Sequence, residues 1–188
     1  KVESCDVASK HGKSSTVFTE RTGNRVYRCE STNIGSLESG NRLAYDYHHK
    51  KLVVIVFDSD GMGEGLDEFM AGKHIPYYAF HGGHGQKAQD QRKFKNLRTQ
   101  FYCLLAKKLE KGLISLKDLP QKEYEVLKSQ LCCINYKPHD PLGRVQIETK
   151  EDLKARQIES PDSADSLMMS EYGIWMGKMG DIKPIAYR

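Results

Sequence analysis

Residues 52–63 read LVVIVFDSDGMG and hold the strongest strand signal in the chain. An unbroken run of six apolar, mostly β-branched residues is typical of a buried strand that has helices on its faces. The run ends at Asp58, and Gly61 and Gly63 then lead into a helical segment. The stretch therefore predicts an α/β fold in which this strand is central and carries a carboxylate at its end.

The residues before this strand predict a meander of three strands and a helix. Residues 2–8 form the first strand candidate, and residues 15–19 and 25–29 alternate around the turn Thr22-Gly23-Asn24. The polar stretch 36–50 is long enough for a helix of modest amphipathicity, which leads into the central strand. We expect the first strand and the central strand to be neighbours in the sheet.

The residues after the central strand predict a further strand, three helices and a β-hairpin. Apolar residues recur at helical spacing between Gln91 and Glu110, and Gly112 follows as a stop signal. The other predicted elements are a strand at 75–80, a glycine-rich loop at 81–85, a helix from Pro120 to about Leu131, a hairpin of 132–136 with 144–147, and a last helix that begins at Ser160-Pro161.

Length and composition predict a single domain, 1–188. The chain has 188 residues, 38% of them hydrophobic, which is enough for one sizeable core and cramped for two. Its formal net charge is only +4, so any basic surface must be local. Five cysteines without a CxxC or zinc-ligand spacing favour reduced thiols in a cytosolic compartment. The chain begins at Lys1 and contains no signal peptide or 18-residue apolar run, so we expect a soluble fragment of a longer protein that has no membrane partner.

Aspartates stand at the ends of the predicted elements. Asp6 lies in the first strand, Asp58 ends the central strand, and Asp162 opens the last helix. Because such ends converge on one edge of an α/β sheet, we expect the three carboxylates to meet there. Carboxylate clusters suit Mg²⁺ or Mn²⁺ rather than zinc. Asp165 and Asp60 are alternative or auxiliary ligands, although aspartates at such positions also cap helices and turns.

Four motifs, in order and at matching spacing, resemble the nuclease domain of phage terminase large subunits. They are Asp6-Val7-Ala8, Asp58-Ser59-Asp60-Gly61-Met62-Gly63, Phe94-Lys95-Asn96-Leu97-Arg98 and Ser160-Pro161-Asp162-Ser163-Ala164-Asp165-Ser166-Leu167. The resemblance covers nearly the whole chain, including residues 144–151, which are similar to the strand and helix start before the family's final acidic motif. It implies a ribonuclease H-like mixed β-sheet flanked by helices, with an added β-hairpin near the C-terminal part.

The resemblance also implies an activity, that of a divalent-metal-dependent endodeoxyribonuclease that cuts concatemeric viral DNA. Asp6, Asp58 and Asp162 match the family's metal-binding acids, and Asp165 matches a frequent second acid of the last motif. Two Mg²⁺ or Mn²⁺ ions bound there can clamp an in-line phosphodiester displacement. The implied partners are double-stranded DNA and, for the full-length protein, a terminase small subunit and a portal. The isolated domain is expected to be monomeric, and the expected location is the cytoplasm of the infected host cell.

The chain departs from the family after the first aspartate. Many members have a glycine and further acids there, whereas in this chain Gly12 is followed by Lys13-Ser14-Ser15, which puts in doubt an auxiliary acidic ligand from this segment. Gly12-Lys13-Ser14 also lacks the upstream glycine of a G-x-x-x-x-G-K-[ST] phosphate loop. We interpret it as a turn and expect the ATPase motor domain, which lies upstream in the family, to be absent from this chain.

Basic residues in and near these motifs are candidate DNA contacts, namely Lys95, Arg98, Arg144 and Lys150. Since basic residues opposite an apolar stripe also form ordinary solvated faces, the sequence leaves both interpretations open. His81 and His84 lack partners at zinc spacing, so we favour a mobile loop near the substrate over a zinc site.

Two other functions remain open on the same fold. A Holliday-junction resolvase would use similar acids but would act as a dimer on branched DNA. A non-catalytic DNA-binding or assembly module would use the acids only for capping and turns. Metal-dependent nicking of plasmid DNA and an assay on branched DNA discriminate among the three.

Overall fold

The computed structural model describes residues 1–8, 14–52, 54–60, 63–82 and 86–178. Several sequence-based expectations fall outside these ranges, namely the turn at Gly12-Lys13, Val53 of the central strand, Gly61 after Asp58, and residues 83–85 of the glycine-rich loop with His84. Within the described ranges, no helix has both the length and the apolar character needed to cross a bilayer. All five cysteines are described, and all are free.

A mixed sheet of five strands forms the middle layer of the structure. Its strands are β1 (Val2–Asp6), β2 (Thr16–Thr22), β3 (Arg25–Thr32), β4 (Val54–Asp58) and β5 (Tyr77–Phe80). Their order is β3-β2-β1-β4-β5. β2 is antiparallel to both β1 and β3, whereas β4 is parallel to both β1 and β5. The predicted meander and the pairing of the first strand with the central strand are confirmed.

Helices cover both faces of the sheet because the central strands are apolar on both sides. The helices are α1 (Ser36–Lys50), α2 (Glu64–Gly72), α3 (Leu97–Glu110), α4 (Gln121–Cys133), α5 (Lys150–Ala155) and α6 (Asp162–Lys178). Ile55 and Phe57 of β4 lie in one core cluster with buried residues of α1 and α2. Val54 and Val56 lie in a second core cluster, on the opposite face, with buried residues of α3, α4 and α6.

The α6 helix packs directly across the middle of the sheet. Ser4 Oγ donates to Ser166 O at 2.6 Å, and Ser166 Oγ donates to Val17 O at 3.2 Å. A Cβ atom at Gly173 would lie only 2.5 Å from Val56 Cγ2, so the helix approaches β4 at a distance that only glycine permits. These contacts hold the start of α6 beside the end of β1.

The α3 helix begins at Leu97, six residues later than its apolar spacing predicts. Asn96 Oδ1 accepts from Thr99 N at 2.9 Å and caps the helix there. The residues before the cap pair with the later hairpin, since Lys95 N donates to Val145 O and Val145 N donates to Lys93 O. This pairing with a distant segment outweighs the local helical spacing.

The predicted hairpin is present but short, with β6 (Tyr136–Lys137) paired to β7 (Gln146–Ile147). The prediction of strand at Cys132 and Cys133 is wrong, because both belong to the last turn of α4. The α4 helix ends at Cys133, and the backbone is extended at the next residue, Ile134. α5 then follows the hairpin directly.

Candidate metal centre

Asp6 and Asp58 end two adjacent parallel strands side by side. Cys5 pairs with Phe57 in the register of β1 and β4, so the next residue of each strand lies at the same edge of the sheet. Because side chains alternate along a strand, Asp6 and Asp58 lie on the same face as Val56. That is the face on which α6 packs.

The α6 helix brings two further acids to this edge. Asp162 is its first residue, and Asp165 lies nearly one turn later on the same side of the helix. Asp162 Oδ2 accepts from Ser15 N at 2.9 Å, which ties the start of α6 to the segment before β2. Asp6 interacts electrostatically with Asp58, Asp162 and Asp165. The four aspartates therefore form one cluster.

Burial raises the proton affinity of three of these carboxyl groups. The pKa of Asp6 lies well above its usual value because the group is buried; Lys150 opposes this rise, and the three other aspartates add to it. Burial also raises the pKa of Asp58 and of Asp162. A cation held between crowded carboxylates would relieve both their repulsion and the cost of their burial.

Asp165 differs from the other three acids. Its Oδ1 atom accepts from Tyr102 Oη at 2.6 Å and from Arg98 Nε at 3.1 Å. Burial acts to raise the pKa of Asp165, but Arg98, Lys150 and the hydrogen bond from Tyr102 outweigh it, so the pKa is lowered. Asp165 thus remains negatively charged inside the cluster.

The Lys150 side chain supplies a positive charge to this cluster. Lys150 is the first residue of α5, and its Nζ atom lies 3.5 Å from Asp165 Oδ2. The charges of Asp165 and Asp6, and then that of Asp58, raise the pKa of Lys150. The ammonium group therefore stays protonated and balances part of the negative charge.

Two buried carboxylate oxygens of the cluster, Asp6 Oδ2 and Asp165 Oδ2, have no hydrogen-bond partner within the ranges that the structure describes. An unpaired buried acceptor is costly unless a ligand completes it. In the described part of the chain, no three His, Cys, Asp or Glu side chains are already arranged around one ion position. The donors available are nevertheless all carboxylate oxygens, which fit a hard cation such as Mg²⁺ or Mn²⁺.

Two cavities flank the cluster and share Lys150 in their walls. One has a volume of about 270 Å³ and is bordered by Asp58 and Asp165. The other has a volume of about 670 Å³ and is bordered by Asp162 and Lys154. The acids therefore lie between two spaces, an arrangement that suits an extended substrate.

Asp60 supports Asp58 through its backbone. Asp60 N donates to Asp58 Oδ1 at 3.0 Å, and Asp60 Oδ1 lies 3.1 Å from His81 Nδ1. The residue borders the same cavity as Asp58. Asp60 is therefore placed to orient Asp58 and, as an alternative role, to act as a peripheral ligand.

The four basic residues predicted to contact DNA lie in different surroundings. Lys95 is bonded to a side chain of the hairpin in an exposed position, and Arg144 is ion-paired within the hairpin connection. Arg98 is buried and paired with Asp165. Arg98 and Lys150 both border the cavity beside Asp165. DNA contact by any of the four stays a prediction.

Tyr102 is a residue of this centre that the motifs do not reveal. It follows Arg98 by four positions on α3, so the two side chains lie on the same side of the helix. That spacing is visible in the sequence, but their shared partner Asp165 is distant in the chain and becomes visible only in the fold.

The sequence matches no family model and shows no significant similarity to any curated protein. The structure, however, is similar to solved terminase nuclease domains. The nuclease domain of the large terminase subunit gp2 of bacterial virus Sf6 superposes with a TM-score of 0.77 at 24% identity, over 90% of this chain and 86% of that chain.

Structures with bound metal ions are among the matches. A mutant of the Sf6 gp2 nuclease domain with manganese gives a TM-score of 0.75 at 23% identity, over 90% of this chain and 87% of that chain. The large terminase nuclease from thermophilic phage G20c with bound magnesium gives 0.56 at 17% identity, over 90% and 81%. At these identities the likeness establishes the fold, and the predicted ribonuclease H-like mixed sheet flanked by helices is confirmed.

Proposed function

We propose that this chain is the nuclease domain of a viral terminase large subunit and that it hydrolyses double-stranded DNA with two divalent cations, Mg²⁺ or Mn²⁺. Its fold is that of the Sf6 and G20c terminase nuclease domains, which were solved with manganese and with magnesium. The observation that carries the proposal is the convergence of acids from β1, β4 and α6 at one sheet edge, where Lys150 Nζ lies 3.5 Å from Asp165 Oδ2.

In this proposal Asp6, Asp58 and Asp162 hold the cations, and Asp165 completes the set of ligands. When bound, the cations supply an activated water and stabilise charge at the phosphorus and the leaving oxygen. The protein contributes rigidity, since two of the ligands end strands at the centre of the sheet. Lys150 offsets the carboxylates and provides a positive charge for an approaching phosphate.

The two cavities beside the acids suggest the course of the DNA. A strand that passed through both would bring a phosphate over the acids, near the Lys150 ammonium that both cavities share. Lys154 lies farther along the larger cavity and could bind a neighbouring phosphate. Lys95 and Arg144 would contact the DNA backbone from the hairpin side. These contacts are sequence-independent, so we expect little base specificity from this domain.

The substitution Asp58→Asn tests the proposal. Asparagine keeps the shape of the side chain but removes the charge that binds a cation, so we expect metal-dependent nicking of supercoiled plasmid to fall by about 10³-fold or more. The fold should survive, as measured by circular dichroism. Asp118→Asn is a matched control, because Asp118 pairs with Arg25 at a partly exposed position outside the cluster.

The outcomes separate the candidate functions. Nicking at the wild-type rate by Asp58→Asn would show that Asp58 is not a ligand. Cleavage by the wild type that is confined to four-way junctions would indicate a resolvase. DNA binding by the wild type without nicking in either metal would indicate a non-catalytic module.

The remaining parts of the proposal concern the full-length protein. There we propose that the domain cuts concatemeric DNA in the cytoplasm of the infected host cell, together with a motor domain, a terminase small subunit and a portal. The isolated domain is proposed to be a monomer.

A further inference from the structure

We infer that Tyr102 and Arg98 of α3 are positioning residues that orient Asp165, so that only its Oδ2 atom is offered to a divalent cation. The inference rests on the proposed function, because it assumes that a cation binds at the acid cluster. It concerns two side chains that would not themselves touch the cation.

The two oxygens of Asp165 have different surroundings. Oδ1 accepts hydrogen bonds from Tyr102 Oη at 2.6 Å and from Arg98 Nε at 3.1 Å. Oδ2 is buried and has no hydrogen-bond partner among the described residues, and the Lys150 ammonium lies 3.5 Å away. Two donors on one oxygen fix the plane of the carboxylate and direct the other oxygen toward the cluster.

The donors are themselves fixed. Arg98 Nη1 donates to Glu148 O at 2.9 Å, and the guanidinium group lies over the Tyr102 ring at 4.8 Å. Tyr102 is 7% and Arg98 8% exposed, so both side chains are held by packing as well as by hydrogen bonds. α3 also packs directly against α6, which holds the two donors and Asp165 in place relative to one another.

A purely structural ion pair would be arranged differently. An arginine that only stabilises a buried carboxylate commonly forms a bidentate pair, with parallel hydrogen bonds to both oxygens. Here Arg98 Nη2 also lies 3.1 Å from Oδ1, while Oδ2 accepts no hydrogen bond from the residues that the structure describes. An Oδ2 atom that has the Lys150 ammonium 3.5 Å away but accepts no hydrogen bond in the described part of the chain is costly in a structural pair and is expected for an oxygen that binds a cation. Residues that orient ligands in this way commonly contribute about 10–100-fold to metal affinity.

The substitution Tyr102→Phe tests the inference through Mn²⁺ binding rather than through cleavage. We expect the dissociation constant for Mn²⁺, measured by calorimetry, to rise by about 10–100-fold. Tyr172→Phe is the matched control, because it removes another buried hydroxyl near α3, and its Mn²⁺ affinity should equal that of the wild type. An unchanged affinity in Tyr102→Phe would overturn the inference.

A double-mutant cycle shows whether the effect passes through Asp165. In an Asp165→Asn background, Tyr102→Phe should cause no further loss of Mn²⁺ affinity, since the ligand that it orients is already lost. Losses that simply multiply would contradict a positioning role. Should Tyr102→Phe fail to fold, Arg98→Lys serves instead. Lysine keeps the charge but lacks the rigid planar fork by which Arg98 donates from Nε to Asp165 and from Nη1 to Glu148 O, so its Mn²⁺ affinity should fall by a similar factor.

The inference and the proposed function fail in different ways. A wild-type protein that neither binds Mn²⁺ nor nicks DNA would overturn both. A wild-type protein that binds Mn²⁺ and nicks DNA, beside a Tyr102→Phe variant of equal Mn²⁺ affinity, would overturn only the inference.

Discussion

Lys150 shows how one residue can offset part of the negative charge of a site that is rich in acids. Its ammonium lies 3.5 Å from Asp165 Oδ2 and interacts with the charges of Asp6 and Asp58. In the metal-free protein it partly substitutes for the cation that crowded carboxylates require. A cation bound at these acids would therefore compete with Lys150 for the same negative charge.

This competition predicts the behaviour of Lys150→Ala. The metal-free variant should unfold at a lower temperature than the wild type, because its carboxylates lose their compensating charge. Its Mn²⁺ affinity should rise on the order of tenfold, since a unit charge a few ångströms from an ion contributes about 1 kcal/mol or more. Thermal unfolding with and without Mn²⁺ measures both effects. Lys154→Ala, four positions along on the same helix, should change neither; weaker Mn²⁺ binding by Lys150→Ala would contradict the prediction.

At the scale of elements, the centre depends on how closely α6 approaches the sheet. A Cβ atom at Gly173 would lie 2.5 Å from Val56 Cγ2 and 2.9 Å from Val2 Cγ1. Both neighbours belong to the strands that end in Asp58 and Asp6. Any displacement of α6 here is therefore transmitted to the spacing of the acids.

We predict that Gly173→Ala destabilises the protein, because the added methyl group forces α6 away from β1 and β4. Overpacking of this kind costs about 1–3 kcal/mol, and urea unfolding measures the loss. Gly177→Ala on the same helix is the control, since its Cβ atom would meet nothing within 4 Å. There, the better helix propensity of alanine should stabilise by up to about 1 kcal/mol. Equal effects at the two positions would show that the close approach is unimportant.

At the scale of the whole molecule, both faces of the sheet bury ionisable groups. On the α6 face, Arg21 pairs with Glu171 at 2.8 Å. On the α1 face, the fully buried Glu3 is paired with Arg28, which also bonds to Asp46 at 3.0 Å. Burial raises the pKa of Glu3 to about 8, against opposing charge from Arg28. Between pH 4.5 and about 8, Glu3 is therefore protonated in the folded protein but ionised in the unfolded chain.

The sign of the pH dependence follows from this raised pKa. Because the folded state binds more protons than the unfolded state between pH 4.5 and 8, Glu3 makes stability fall as pH rises through that window. One pKa unit corresponds to about 1.4 kcal/mol, so the shift of Glu3 from 4.5 to about 8 should contribute about 5 kcal/mol over the whole window. Glu3→Gln should flatten the decline and be more stable than the wild type at pH 8. Urea unfolding from pH 5 to 8 tests this, and Glu30→Gln, at a more exposed position, should keep the wild-type slope.

The sequence alone was sufficient for the elements whose signals are local. The apolar run at β4, the alternation around the turn between β2 and β3, and the length of α1 each depend on neighbouring residues, and the structure contains all three elements. The order of the four motifs was likewise enough to predict the fold class. Acids at the ends of predicted elements could be singled out as candidate metal ligands, because the ends of elements are also predicted from neighbouring residues.

Tertiary structure decided what depends on distant partners. The α3 helix begins at Leu97 because residues 93–95 pair with Val145, and no local spacing contains that information. Lys150, Arg98 and Tyr102 all contact Asp165, and they do so because α6 packs beside α3 and the ends of β1 and β4. Local side-chain preferences specify helices and strands, whereas burial and long-range hydrogen bonds, which the linear sequence does not display, determine where charged side chains meet.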